Sequence, residues 1–215
     1  NAFGDWIEAN ATQARVYTEK AGVNSIVLDS TDDVRGMTGN IAFSLSLYSG
    51  QMCTTPQNIF IPEDGIDTPD GRVSFDDTVA AIVKAVNWFL SDPARAAEVL
   101  GAVQSPATLE RIEASRVAGG TIVRYSTAIE NERFPEARTA SPLIVVVDEA
   151  DTALDEQEGF GPVGYIVKMS STAKSIDRAA CGASRLGGLT AAIWSRCDET
   201  IDRAVDAFSR AGVAL

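Results

Sequence analysis

Apolar residues along this chain fall into short runs separated by stretches of helical spacing. Residues 25–28, 58–61, 121–125, 143–147, 163–169 and 189–194 read as strands. Val79, Ile82, Val83, Val86 and Leu90 share one face of a helix that stops before Pro93. Ile201, Ala204, Val205 and Phe208 share the inner face of another, for which Asp198 is the expected cap. Helices are also predicted over residues 3–11 and 172–185, and from Ser105-Pro106 to Gly119-Gly120, with proline at the first position. A further helix starts in Asp29-Ser30-Thr31-Asp32-Asp33, where carboxylates complement the helix dipole, and runs to about Tyr48. Ser74-Phe75-Asp76-Asp77 resembles a capping box. Residues 14–18 read as a short strand, and residues 62–72 and 129–142 as loops. Strands alternating with helices imply an α/β fold, a three-layer αβα domain whose mainly parallel sheet is covered on both faces.

Composition narrows the class. The 215 residues can bury roughly 70% of their unfolded surface, so no disulfide or metal staple is required. With 18 basic against 30 acidic residues the net charge is -12, which disfavours nucleic acid and anionic membrane as partners. No apolar run approaches the roughly 18 residues of a membrane span. Three well-separated cysteines, Cys53, Cys181 and Cys197, suit a reducing cytoplasm and have no metal-ligand spacing. The chain contains no histidine, so Ser-His-Asp and Cys-His units are excluded. Whatever activates a nucleophile here is not imidazole.

The candidate chemistry lies in three short strings. Cys53 follows Ser49-Gly50-Gln51-Met52, in a turn that Gly50 opens after an apolar helix. Glu19 stands upstream in Thr18-Glu19-Lys20-Ala21-Gly22, and Glu158 opens Glu158-Gly159-Phe160-Gly161-Pro162. A thiol has an ordinary pKa of about 8.5, and the thiolate is a strong nucleophile toward a carbonyl carbon. Attack on an aldehyde creates an oxyanion, for which the Cys53 backbone N–H is one candidate donor. Water that opens the resulting thioester needs a general base, a role a carboxylate such as Glu19 can fill. Taken singly, each has a plainer reading: a buried small hydrophobe for Cys53, a solvated strand end for Glu19, a turn for the glycines. Cys181 and Cys197 keep the plain packing reading.

Together, and in this order, the three strings resemble the aldehyde dehydrogenase superfamily. Its catalytic domain carries Glu-Leu-Gly-Gly, Gly-Gln-x-Cys and Glu-x-Phe-Gly-Pro. The resemblance implies Cys53 as nucleophile, Glu19 as base, and Glu158 and Phe160 at the nicotinamide end of NAD or NADP. Leu186-Gly187-Gly188-Leu189-Thr190-Ala191-Ala192 is similar to a further family segment, so the likeness covers nearly the whole chain. Tyr17-Thr18-Glu19-Lys20-Ala21-Gly22-Val23-Asn24-Ser25 and Tyr48-Ser49-Gly50-Gln51-Met52-Cys53-Thr54 resemble the phenylacetate-degradation, PaaN-type members. That group implies a ring-opened semialdehyde substrate, CoA-linked, and a cytoplasmic enzyme.

Lys20 and Ala21 depart from the family's Leu and Gly, which stiffens the loop beside Glu19. By resemblance, residues 1–20 are the edge of a cofactor domain and residues 21–215 the catalytic domain, with the Rossmann domain and C-terminal arm lying elsewhere. That division predicts that residues 3–11 and 14–18 are mobile, repacked or paired with another copy, that the parent protein is a homo-oligomer, and that this stretch alone is inactive. Two other readings stand beside oxidation to the acid. One is a CoA-acylating dehydrogenase, in which CoA rather than water takes the acyl group. The other is a non-catalytic module.

Overall fold

The computed structural model describes residues 2–18, 22–156 and 158–215. A helix, α1 (Ala2–Asn10), precedes β1 (Asn24–Leu28), α2 (Val34–Ser46) and β2 (Pro56–Pro62). A hairpin, β3 (Ile66–Thr68) and β4 (Gly71–Val73), leads into three helices, α3 (Phe75–Phe89), α4 (Pro93–Leu100) and α5 (Pro106–Val117). The chain continues through β5 (Thr121–Arg124), β6 (Leu143–Asp148), α6 (Thr152–Asp155) and β7 (Val163–Met169). It ends with α7 (Thr172–Leu186), β8 (Ala191–Trp194) and α8 (Asp198–Ala211).

Six strands form one sheet in the order β5-β6-β7-β2-β1-β8, parallel except for β5 at one edge. Alternation along the strands divides the core. Ile26, Leu28, Ile59, Ile61, Ile144 and Ile166 pack toward α2 and α3. Val27, Phe60, Val145, Val147, Tyr165 and Val167 pack on the other face, with Ile112 of α5, Ile176 of α7 and Phe208 of α8. Every residue of β2 is buried, as expected for a central parallel strand covered on both sides. The three-layer α/β expectation is met.

Several local expectations are corrected. Residues 14–18 form no strand: Arg15 and Tyr17 face solvent, and Thr18 hydrogen-bonds Glu8 of α1. Alternation alone does not make a strand when no neighbour takes its N–H and C=O groups. Residues 62–72 were expected as loop but hold the hairpin, in which Ile66 pairs with Val73 and Asp67 with Arg72. Its three-residue strands carry too few apolar positions to announce themselves. Pro93 does more than end α3: it opens α4, whose cap Asp92 accepts from the Arg95 N–H at 2.7 Å. The cap of α8 is Cys197, and Asp198 is instead its first residue, beside Glu199, where both still favour the dipole. The capping box at Ser74 is half realised. Ser74 Oγ accepts from the Asp77 N–H at 3.1 Å and donates to the Asp77 carboxylate at 2.6 Å.

Candidate active site

Asn24, Pro56, Val163 and Ala191 begin four parallel strands, and the candidate residues gather at that end. Cys53 lies in the turn before β2, and residues 158–162 run directly into β7, the neighbour of β2. Ligand crevices in open α/β sheets more often lie at the carboxyl ends of strands. Here the β1 corner of that end is tied together by side chains. Asp29 accepts from Thr172 Oγ1 at 2.8 Å and from Ser195 Oγ at 2.7 Å, and the β3–β4 hairpin bridges to Ser30.

The nucleophile turn has an unusual backbone. Tyr48 and Ser49 adopt positive φ, 51° and 53°, and Gly50 follows at 63°. Left-handed backbone at two non-glycine residues costs energy and persists only where neighbours hold it. Ser49 is fully buried, its hydroxyl proton shared between the carbonyls of Leu100 at 3.0 Å and Ala140 at 2.9 Å. Gln51 donates to the Tyr48 and Ala102 carbonyls at 2.9 and 3.0 Å and accepts from the Gln104 N–H at 2.9 Å. The segment after α4 thus braces the turn from outside and leaves Cys53 exposed at its tip.

Gly50 brings the second motif against the first. A side chain there would stand 2.4 Å from the Gly161 carbonyl oxygen, so the two loops meet backbone to backbone. Arg111 donates to the Phe160 carbonyl at 3.0 Å and to Thr108 Oγ1 at 2.8 Å, and Gln57 accepts the Gly159 N–H. Gly22, Asn24, Cys53, Gln57, Glu158 and Phe160 consequently border one small cleft, of about 20 Å³. That volume holds roughly one water, so these residues form a floor rather than an enclosing chamber. Burial pushes the Glu158 carboxyl above its ordinary value, and the Gly22 N–H and the Arg111 charge offset this only in part.

The sequence matches the aldehyde dehydrogenase family over residues 1–215. The chain belongs to the aldehyde dehydrogenase family. A solved NAD-dependent aldehyde dehydrogenase from Burkholderia multivorans is 49% identical, with a TM-score of 0.96 over 99% of this chain and 38% of that one. Among curated relatives, aldehyde dehydrogenase family 7 member B4 of Arabidopsis thaliana is 26% identical over 198 residues, 90% of this chain and 36% of that protein. N-succinylglutamate 5-semialdehyde dehydrogenase of Hahella chejuensis is 26% identical over 191 residues, 86% and 36% of the two. The chain therefore spans a little over a third of the length of these dehydrogenases.

Within this aldehyde dehydrogenase fold, Cys53, Glu158 and Phe160 are brought together, although 53 and 158 are far apart in sequence. Glu19 lies outside the described residues. Cys181 and Cys197, expected to be packed, are both exposed. Cys181 falls on the outer side of α7, and Cys197 sits where α8 begins. Sequence reasoning passed over Asn24, Ser49, Gln57 and Arg111. Gln51 was legible as part of its motif, but its bracing role was not, because its partners at 102 and 104 come from another element.

Proposed function

We propose that this chain is the catalytic portion of an NAD(P)-dependent dehydrogenase that oxidises an aldehyde to an acid through a covalent adduct on Cys53. One observation carries the reading: an exposed cysteine on a braced, left-handed turn shares a cleft with Glu158 and Phe160. The Cys53 thiolate bonds to the aldehyde carbon, and the backbone N–H of Cys53 is a donor for the oxyanion. When bound, the nicotinamide supplies the acceptor for the hydrogen and two electrons that leave that carbon. Glu158 would hold the ribose next to it and Phe160 would flank it. The half-buried carboxylate and exposed ring at the cleft suit such a ligand. The thioester left on Cys53 is opened by water, with Glu19 as base. The 49% identical relative is named as NAD-dependent, which supports the cofactor assignment.

The finer readings belong to the same proposal. The PaaN-like segments around Glu19 and Cys53 support a semialdehyde of phenylacetate catabolism, CoA-linked, handled by a cytoplasmic homo-oligomer. Residues 1–20 would edge the cofactor domain, and the isolated chain would not turn over aldehyde.

Acetyl transfer from p-nitrophenyl acetate tests the nucleophile without cofactor. Cys53 Sγ bonds to the acyl carbon, p-nitrophenolate leaves, and the thiol proton passes to buffer. Peptide mass spectrometry should find acetyl on Cys53, absent in Cys53→Ser, and little on Cys181 or Cys197. Even labelling of all three thiols refutes the assignment. Aldehyde-dependent reduction of NAD or NADP by the parent enzyme, with products analysed with and without CoA, then separates acid from acyl-CoA formation.

A further inference from the structure

Asn24 is buried, and its side-chain amide is saturated. Nδ2 donates to the carbonyls of Cys53 at 2.7 Å and Thr55 at 3.2 Å. Oδ1 accepts from the N–H groups of Leu189 at 2.9 Å and Thr190 at 3.0 Å. Two donors and two lone pairs are all that a primary amide offers, and all four are used. No other side chain of this size can do the same, since a carboxylate lacks the donors and an aliphatic group lacks both.

The backbone shows why a side chain is needed there. Asn24 lies opposite Pro56, and Ser25 lies opposite Asn58, so the β1–β2 ladder slips at that step. Pro56 has no N–H to give. On the other side, β8 does not pair with β1 until Ser25 meets Ala191. At the amino end of the sheet the main-chain pairing of β1 is irregular toward β2 and has not yet begun toward β8, and the Asn24 amide bonds to both sides. The lead-in to β1 is docked on the same segment. The Val23 N–H donates to the Gly187 carbonyl at 2.9 Å, and a Cβ on Gly22 would meet Gly187 at 2.8 Å.

We infer that Asn24 is a positioning residue that orients Cys53 by locking the nucleophile turn to residues 187–190. Its bond to the Cys53 carbonyl holds the peptide plane after Cys53, one of the two planes that meet at the Cys53 Cα, and so restrains the backbone from which the thiol projects. The inference rests on Cys53 being the nucleophile. Attack on a carbonyl demands this orientation, whereas alkylation by iodoacetamide demands little more than exposure.

Both rates are measured at each thiol by mass spectrometry, in the unsubstituted chain and in Asn24→Ala and Asn24→Asp. The expected result is a fall of about tenfold in acetyl transfer from p-nitrophenyl acetate to Cys53 relative to its alkylation, the scale of one lost orienting hydrogen bond. Cys181 and Cys197 keep their rates. Amide exchange at Leu189 and Thr190 quickens in Asn24→Ala and stays slow in Asn24→Asp, which retains an acceptor. An unchanged ratio at Cys53 in a folded variant overturns the inference. Asn24→Ser, which keeps one donor, is read in the same way if the other two do not fold. The nucleophile reading fails separately: if Cys53 of the unsubstituted chain shows no preference for the ester over Cys181 and Cys197, that reading falls, and the role of Asn24 with it.

Discussion

Gly50 and Gly161 meet with no side chain between them, and this contact joins the Cys53 turn to the loop that carries Glu158 and Phe160. Each glycine has positive φ, 63° and 138°. The close approach and the backbone conformation are separate demands, and they can be told apart by substitution.

Gly212 provides the comparison. It is left-handed, with φ 74° and ψ 26°, and a Cβ there meets nothing within 4 Å. Gly212→Ala should cost only the left-handed strain, about 1–2 kcal/mol in urea denaturation. Gly50→Ala adds a collision with backbone that has no flexible end to yield. It should destabilise by clearly more than Gly212→Ala and should slow acetyl transfer to Cys53, an effect Gly212→Ala lacks. Equal effects would show that the loop contact is slack.

Ser49 tests the brace. Removing its hydroxyl leaves the buried Leu100 and Ala140 carbonyls without that donor. Ser49→Ala should lose about 1–3 kcal/mol of stability by denaturant titration. Ser49→Gly loses the same bond but relieves the positive φ, so it should be less destabilising than alanine substitution alone suggests.

Asp155 and Arg178 form a two-point ion pair, at 2.6 and 2.9 Å, with the Asp155 side chain 2% exposed and that of Arg178 15%. Burial pushes the Asp155 carboxyl up, more than the guanidinium pulls it down. Such a pair is costly to break from one side, because the remaining charge stays buried. Asp155→Ala should destabilise by about 3–5 kcal/mol. Melting of the single variants and of the double Asp155→Ala/Arg178→Met variant checks this, with the double expected to recover part of the loss.

The raised Glu158 carboxyl has a stability consequence. The folded state holds this proton more tightly than the unfolded chain, whose ordinary value is 4.5. Its contribution is therefore most favourable below 4.5 and is lost as pH rises through the folded value. Glu158→Gln should flatten that decline. Melting temperature against pH for the two proteins should converge at low pH and separate above 4.5, with the variant the more stable there.

Cys197 supplies a control thiol with its own signature. The Thr200 hydroxyl and the N–H groups of Thr200 and Glu199 hold it below its ordinary value. Its alkylation should persist to lower pH than that of a plain thiol, and Thr200→Val should slow it at pH 7 by about threefold. No change in that variant would mean the helix start, not Thr200, sets its reactivity.

Much of the architecture was legible because a strand buried on both faces and a helix buried on one leave different apolar periods. Residues 143–147 and 163–169 declared themselves in this way, as did the face of α3. Elements with few buried positions did not. The β3–β4 hairpin rests on Ile66 and Val73, and α4 was hidden behind Pro93, a residue that both stops one helix and starts the next. Residues 14–18 carried an alternating pattern but, among the described residues, no neighbouring strand to pair with.

The sequence by itself determined the six strands of the main sheet and which short strings carry thiol and carboxylate, since side-chain type and spacing are local properties. Whether Cys53 meets Glu158 was decided only in three dimensions. Each motif stands just before a strand, and they converge because β2 and β7 are parallel neighbours. The amide of Asn24 reaches Cys53 and Leu189 at once because β1 lies between β2 and β8. Strand order follows from long-range packing and crossover lengths, and alternation along one strand does not say which neighbours that strand will take.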